Sequence, residues 1–351
     1  MRDSVKSIQF LRFIAAALVV FSHAMDNAKY QIADSTSPLI HYVADFGRSG
    51  VHIFFVISGF IMIYASFGEG REFDSSEFLL RRFIRIFPIY WVYAAAYILM
   101  RQIVSRGYNS IWDVFGSLLL LPNYSWVIIA PGWTLSYEIY FYICFAIFMI
   151  LGLTRGLLAM TFFFMISIAA GLVVQFGNTG LQLATNSLLI EFLFGAWIAY
   201  VFVSGAHLSL TLANTLVVLG VALFMIGIAL GYNRLPTVLT WGVPSALLIA
   251  GSVFKERGGG LSGFVQRYSY LGNSSYSLYL LHVLLIGLML RGYLAIFPRP
   301  MSGYLLICLV LSTLCVPISV VLYEYVERWL VGYWQSMVTS KDSRVRVGPY
   351  A

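Results

Sequence analysis

Two ionisable residues, Arg12 and His23, lie inside the first long apolar stretch of the sequence. Ionisable side chains at membrane depth are energetically costly, so they usually serve a function. Their separation of eleven residues corresponds to about three helical turns, which places both side chains on one face, about 16 Å apart along the axis. This spacing suits a long anionic molecule that binds at one end of a helix and reacts near the other.

His23 has the chemistry of a general base, because a neutral imidazole can accept a proton from a hydroxyl group. The alternative is a histidine that only packs helices together through a hydrogen bond to a carbonyl. Glu138 is predicted to lie at the depth of His23, where a carboxylate would orient the imidazole ring. Its alternative is a structural carboxylate held by Tyr142 or Arg48.

Arg81, Arg82 and Arg85 form a cluster where the third apolar stretch begins. Arg82 and Arg85 share one helix face. Guanidinium groups at a helix entrance can hold phosphates through paired hydrogen bonds. Such clusters also fix membrane topology or bind anionic lipid head groups, and the sequence leaves both interpretations open.

Several further polar or small residues are candidates for lining a tunnel or an acceptor site. They are Ser58, Gly59, Trp133, Tyr279, His282 and Glu191. Tyr279 and His282 lie on one face of a predicted helix, and the alternative role for both is hydrogen bonding between helices. Ser58 and Gly59 are expected to allow close helix approach, around a narrow ligand in the functional interpretation.

Glu191 is predicted near mid-membrane, where a lone carboxylate is either paired or protonated. A buried arginine or a tyrosine hydroxyl is the expected partner, and a proton relay is the alternative. At the end of the last apolar stretch, Glu324 and Arg328 are spaced as an ordinary helical pair, so a structural role is preferred there, including for Glu327.

The elements that must position these residues are transmembrane helices. Of the 351 residues, 60% are hydrophobic and 11% are charged, against about 25% charged in soluble domains. Apolar runs of membrane-spanning length predict an all-α polytopic integral membrane protein. The ten predicted spans are roughly 8–26, 50–67, 83–103, 133–152, 157–175, 182–204, 209–230, 237–254, 270–294 and 302–326. The stretch 111–130 is too short and broken to count, and a re-entrant segment is one interpretation of it.

Lys and Arg are roughly twice as frequent in the connections on one side of the predicted spans, which predicts that both termini are cytoplasmic. The net charge of +7 thus requires no nucleic acid partner. Residues 1–332 are predicted to form one membrane domain and 333–351 a short basic cytoplasmic tail. The cysteines Cys144, Cys308 and Cys315 lie within spans and show neither a disulfide framework nor metal-ligand spacing.

Five motifs, taken in order, resemble those of the membrane acyltransferase-3 family, especially bacterial exopolysaccharide O-acetyltransferases. They are Arg12-x10-His23, the glycine- and phenylalanine-rich run 50–60, Arg82-x-x-Arg85, Trp133-x-Leu-x-x-Glu138, and the run from Ser275 to His282. The resemblance extends from about residue 6 to 332. Each motif alone is weak, whereas five in register are specific.

The resemblance implies transfer of an acyl group, usually acetyl, from cytoplasmic acyl-CoA to a glycan hydroxyl at the outer face of the cell inner (plasma) membrane. It implies that His23 is the catalytic base and that Arg12, Arg82 and Arg85 serve the CoA end, to which the sequence pattern adds Arg81. Glu138 matches a family motif residue. Acetyl-CoA would be a substrate and not a bound cofactor. The other expected partners are membrane lipid, a glycan that is lipid-linked or free, and polysaccharide assembly proteins.

In the expected mechanism the hydroxyl attacks the thioester directly, with Ser58, Tyr279 or backbone amides near Gly50 as oxyanion donors. An acyl-enzyme intermediate remains an open alternative to this direct attack. Three alternatives remain for the function. A transporter or flippase for a lipid-linked sugar would keep its acyl-CoA consumption unchanged in His23→Ala but would lose substrate movement. A non-catalytic scaffold would tolerate that substitution altogether. Acylation of a small-molecule glycoside differs only in the acceptor.

Overall fold

The computed structural model describes residues 4–32, 44–67, 73–103, 110–230, 235–297 and 304–339, within which no β-strand occurs. The principal α-helices are α1 Lys6–Ile32, α2 Ser49–Ser66, α3 Ser75–Ile103, α4 Ile111–Leu118, α5 Trp133–Phe148, α6 Leu153–Val173, α7 Thr179–Ala184, α8 Leu189–Val203, α9 Leu210–Leu230, α10 Val243–Arg257, α11 Gly263–Tyr268, α12 Ser275–Ile296, α13 Tyr304–Leu322 and α14 Arg328–Thr339. Two π-helical segments, Val238–Gly242 and Tyr323–Glu327, precede α10 and follow α13.

In the described part of the chain, 10 helical regions are long and apolar enough to cross a membrane. They correspond one to one to the predicted spans, so the all-α, multi-pass architecture is confirmed. The last region is longer than predicted and extends from Leu306 to Met337, because the π-helical segment and α14 continue the helix. The side of the membrane on which each terminus lies stays a prediction.

Helix α1 occupies the centre of the bundle, where it packs against α2, α10, α12 and α13. Glycines let the chain leading into α2 approach α1 closely. A Cβ atom on Gly47 would collide with the carbonyl oxygen of Leu18, and one on Gly50 would collide with that of Ala15. The contact therefore depends on small residues, as is common between membrane helices.

A reciprocal glycine contact joins α2 to α8. A Cβ atom on Gly59 would collide with the carbonyl oxygen of Phe192, and one on Gly195 would collide with that of Val56. Beside this contact the Phe192 ring stacks on Phe55 of α2 and on Phe141 of α5, each at a centroid distance of 4.6 Å. These fully buried rings form the aromatic centre of the core.

Residues 110–132, which lead into α5, turn back toward the middle of the bundle. The Tyr90 hydroxyl donates to the carbonyl of Ser117 at 2.9 Å, and the Trp91 indole donates to the carbonyl of Leu118 at 2.9 Å. Both aromatic residues lie halfway along α3. The stretch 111–130 thus reaches the level of the centre of that helix, with backbone carbonyls satisfied by protein groups as membrane depth requires. This geometry is the one expected of a re-entrant segment, a name that we use for residues 111–130, and their depth in the membrane stays a prediction.

Candidate active site

His23 on α1 faces His282 on α12, and we call these two residues the histidine pair. Their ring centroids are 5.1 Å apart and their planes are inclined by 38°. His282 is fully buried, whereas His23 keeps part of its surface exposed. Each histidine is a candidate from the sequence on its own, but their direct contact is visible only in the folded chain.

The backbone of α12 determines which nitrogen of His282 carries a proton. Its Nδ1 lies 3.2 Å from the carbonyl oxygen of Leu278. Because a carbonyl oxygen only accepts hydrogen bonds, Nδ1 is the donor and Nε2 of the neutral ring is an acceptor. Among the described residues, this buried Nε2 has no hydrogen-bond partner.

Tyr279 connects the histidine pair to the end of the re-entrant segment. Its ring centroid lies 6.0 Å from that of His282, and its hydroxyl is 2.8 Å from the Thr134 hydroxyl and 3.4 Å from the carbonyl oxygen of Pro131. Tyr279 and His282 therefore lie together, as their helical spacing predicts. Their role in an acceptor site stays a prediction.

A charged rim lies one helical turn beyond His23. Arg48 is 3.1 Å from Asp26 and 3.2 Å from Asp45, and its side chain is largely exposed. Arg48 thus has acidic partners other than Glu138, which the sequence offered as an alternative. The exposed Arg48 and the partly exposed carboxylates of Asp26 and Asp45 give this end of α1 several hydrogen-bonding groups.

The other end of α1 lies in a second group of polar side chains, which we call the arginine cluster. Its members are Arg12, Arg82, Arg85, Glu138 and Glu327. They come from α1, α3, α5 and the π-helical segment after α13. Three guanidinium groups face two carboxylates, so the cluster has an excess of positive charge that suits an anionic ligand.

Glu138 lies in the arginine cluster, and the predicted pairing of Glu138 with His23 is wrong. The Tyr142 hydroxyl donates to its carboxylate at 3.2 Å, and Arg12 and Arg82 are its charged neighbours. The expected depth assumed that α5 begins at the membrane surface. In the structure α5 begins inside the bundle, directly after the re-entrant segment, so its second turn reaches the arginines.

Glu327 is the member of the cluster that sequence analysis missed. Its side chain is 1% exposed, its carboxylate lies 3.7 Å from Arg85, and it accepts a hydrogen bond from Ser277 at 2.6 Å. The Ser277 hydroxyl lies 2.7 Å from that of Tyr93, so the carboxylate belongs to a network between α3, α12 and the π-helical segment. The available signal was a carboxylate within an apolar span.

The π-helical turn explains why Glu327 escaped the sequence pattern. The structural interpretation holds for Glu324, whose exposed carboxylate lies 2.9 Å from Arg328. A π turn contains more residues than an α turn and changes the rotation between successive side chains. Counting by α-helical spacing therefore does not reveal that Glu327 points inward.

Two other predicted residues have partners that limit their roles. Arg81 pairs with Glu77 of the same helix, so this geometry gives no support to its predicted contact with acyl-CoA. Ser58 shares a hydrogen bond of 3.2 Å with Tyr142, which places it at the arginine cluster. Because Ser58 lies there, it is not positioned to stabilise an oxyanion at His23.

The remaining tunnel candidates from the sequence lie outside both clusters. Gly59 contacts the backbone of α8, which confirms the expected close helix approach, and its role in lining a ligand stays a prediction. Trp133 is partly exposed and packs edge-on against Phe55 and Tyr137, at centroid distances of 6.4 and 5.9 Å.

Glu191 has a histidine as its partner, where a buried arginine or tyrosine was expected. Its Oε1 lies 2.6 Å from Nδ1 of His52, and the carboxylate is fully buried. The pair connects α8 to α2 next to Gly242, the last residue of the first π-helical segment. This location favours a role in holding the three elements together.

Comparison with known proteins identifies the family. The model of the acyltransferase domain family matches residues 5–324. The chain is 30% identical over 259 residues to the exopolysaccharide production protein ExoZ of Rhizobium meliloti (strain 1021), which covers 71% of this chain and 80% of that protein. No solved structure matches the chain. The matched residues include both members of the histidine pair and all members of the arginine cluster except Glu327. The chain therefore belongs to the membrane acyltransferase-3 family.

Proposed function

We propose that this membrane acyltransferase transfers an acetyl group from cytoplasmic acetyl-CoA to a hydroxyl of an exopolysaccharide sugar, with His23 as the general base. The observation that supports the proposal most directly is the division of α1 between two sites. The arginine cluster surrounds Arg12, the histidine pair contains His23, and about 16 Å of helix separates them. ExoZ, by its name a protein of exopolysaccharide production, supports the class of acceptor.

The arginine cluster fits the phosphate-bearing end of CoA. Guanidinium groups bind phosphates by charge-assisted hydrogen bonds. Arg82 is almost fully buried, and its Nε has no hydrogen-bond partner in the described part of the chain. Glu138 and Glu327 hold the arginines in place between ligand encounters, while the excess positive charge favours an anion.

The stretch of α1 between the two sites fits the neutral pantetheine arm of CoA. It contains Phe, Ile, Ala, Leu and Val side chains, and Ala16, Val19 and Val20 are buried between the helices, so a pantetheine arm in this stretch would have apolar surroundings. The thioester would then lie near His23, where an acceptor hydroxyl arrives past the charged rim of Asp26, Asp45 and Arg48.

The proposed reaction is a direct transfer. The hydroxyl oxygen attacks the thioester carbonyl carbon while its proton passes to His23. The carbon–sulfur bond then breaks, and the thiolate takes that proton from His23 to leave as the free thiol of CoA. The ester product and the thiol balance the reaction, and His23 returns to its neutral form.

Mass spectrometry of the surface glycan tests this function. We expect an O-acetyl mass increment in cells that carry the gene, and its loss both in cells without the gene and in cells with His23→Ala. His207→Ala is the matched control, because His207 is an exposed histidine in the connection between α8 and α9. Equal O-acyl content with and without the gene would contradict the proposal, and a different mass increment would replace acetyl by another acyl group.

An assay in inverted membrane vesicles separates transfer from transport. Acetyl-CoA supplied at the cytoplasmic face should be consumed with release of free thiol, and His23→Ala should stop this release. A flippase would move the sugar without thiol release, and His23→Ala would abolish that movement.

A further inference from the structure

We propose that His282 is a positioning residue for His23, so that a pair of histidines replaces the histidine–carboxylate arrangement expected from the sequence. The inference rests on the proposed acyl transfer. In it, Nε2 of His282 accepts a hydrogen bond from the ring N–H of His23. This contact determines which nitrogen of His23 is free to accept the proton of the acceptor hydroxyl.

The first support is the fixed tautomer of His282. Its Nδ1 donates to the carbonyl of Leu278 in the preceding turn of the same helix, which leaves Nε2 as a pure acceptor. A buried acceptor without a partner is costly, and most such atoms in folded proteins are satisfied. Within the described residues, Nε2 of His282 is such an atom.

The second support is the position of the nearest ring. His23 lies 5.1 Å away between centroids, and an imidazole nitrogen lies about 1.1 Å from its ring centre, so two nitrogens that point toward each other lie about 3 Å apart, which is hydrogen-bond distance. Rotation of the His23 ring turns its nitrogen in that direction. His23 is partly exposed, which leaves its ring room for that rotation. The fully buried His282 is the fixed member of the pair.

The third support is that the carboxylates considered as partners of His23 already have other partners in the described part of the chain. Glu138 is committed to Tyr142 and the arginine cluster. The charged groups nearest His23 are Asp26 and Arg48 at the rim, and these two pair with each other at 3.1 Å. His282 gains and loses no proton in the reaction; it only accepts the hydrogen bond that orients the base.

Two substitutions test the role with purified full-length protein. His282→Leu removes the acceptor, and we expect it to lower kcat by about 10- to 100-fold, by analogy with groups that orient metal-binding histidines, with an unchanged KM for acetyl-CoA. His282→Gln provides an amide oxygen near the position of Nε2, and we expect it to recover most of the lost kcat. A merely structural role predicts that both variants lose activity in proportion to the loss of folded protein, and that result would overturn the inference, as would an unchanged kcat in His282→Leu.

A chemical measurement separates this inference from the proposed function. Diethyl pyrocarbonate modifies a neutral imidazole nitrogen, and peptide mass spectrometry reports the rate at His23. We expect slower modification of His23 in His282→Leu than in the wild type or His282→Gln, and equal rates would overturn the positioning role. If the wild type consumes no acetyl-CoA, the proposed function fails, while the modification rates still decide whether His282 orients His23.

Discussion

The arginine cluster and the histidine pair each contain one residue of α1, Arg12 and His23, but their electrostatic environments differ. In the arginine cluster, charges of both signs face one another, as with Arg85 and Glu327 at 3.7 Å. In the histidine pair, two imidazole rings that can be neutral are in contact, and the buried Nε2 of His282 has no hydrogen-bond partner among the described residues. The first arrangement holds a fixed excess of charge, whereas the second keeps hydrogen-bonding capacity available.

This difference separates binding from reaction. A charged ligand end is recognised by groups that stay charged, and carboxylates keep those groups in position when no ligand is bound. A general base must change its protonation state during each turnover, so neighbouring permanent charges would bias it. Placing the two sites about 16 Å apart on one helix lets each keep its own electrostatic environment.

The largest expected effect is that of His23→Ala on the reaction. Loss of a general base lowers the rate by about 100-fold or more, while the affinity for acetyl-CoA should stay unchanged because the arginine cluster is intact. Steady-state kinetics together with a direct binding measurement check both halves, with His207→Ala as control. A loss of donor affinity in His23→Ala would show that the two regions do not act separately.

The converse substitution, Arg82→Ala, should act on binding. Hydrogen bonds to charged groups contribute about 1.5 to 3 kcal/mol, so we expect KM for acetyl-CoA to rise by roughly 10- to 100-fold with little change in kcat. Arg328→Ala is a matched control, since the side chain of Arg328 is 70% exposed. A fall in kcat at constant KM would contradict this prediction and would indicate that Arg82 acts in the reaction and not in binding of acetyl-CoA.

A smaller effect is expected for Glu327→Gln, which tests whether the carboxylates hold the cluster together. The amide retains the hydrogen bond with Ser277 but loses the charge that faces Arg85, so we expect a loss of about 1 to 2 kcal/mol in the free energy of unfolding. Glu324→Gln, on the exposed pair with Arg328, should change it by less than about 0.5 kcal/mol. If thermal unfolding shows equal losses for Glu327→Gln and Glu324→Gln, the Glu327 carboxylate does not stabilise the arginine cluster.

The smallest expected effect concerns the first turn of α3, the helix that carries Arg82 and Arg85. Asp74 accepts hydrogen bonds from the backbone of Ser76 and Glu77, so Asp74→Ala should cost at most about 1 kcal/mol at neutral pH. The hydrogen bond from the Ser76 hydroxyl, together with those from the backbone, lowers the pKa of Asp74.

The pH dependence of that effect has a definite sign. Because the pKa of Asp74 is lowered in the folded protein, its contribution is present above the ordinary pKa of aspartate and is lost as pH falls through the lowered value. The difference in unfolding free energy between wild type and Asp74→Ala should therefore shrink in acid. Asp74→Asn is the control, because an amide oxygen caps the helix without titrating, and a pH-independent difference would contradict the capping role.

Much of the architecture was predictable from the sequence because the bilayer imposes simple requirements. A span needs about 20 apolar residues, and its backbone groups must be satisfied within a helix. Those constraints act on each segment alone, so all ten spans could be identified without knowing any contact. The arginine pair of α3 and the position of His23 on α1 follow from the same local helical spacing.

The partners within each site depended on contacts between distant segments. Glu138 joins the arginines because a re-entrant segment lets α5 begin inside the bundle, and Glu327 joins them because a π turn rotates it inward. Where the backbone is irregular, the number of residues between two side chains does not determine their relative depth in the membrane or their relative direction around the helix axis.

By itself the sequence determined that this protein is a membrane-embedded helical bundle with a cation and a histidine on one face of α1. Only the tertiary structure decided that His282, and not Glu138, lies against His23. The physical reason is that a residue's own helix determines the direction in which its side chain points. The packing of other helices determines which groups it meets there.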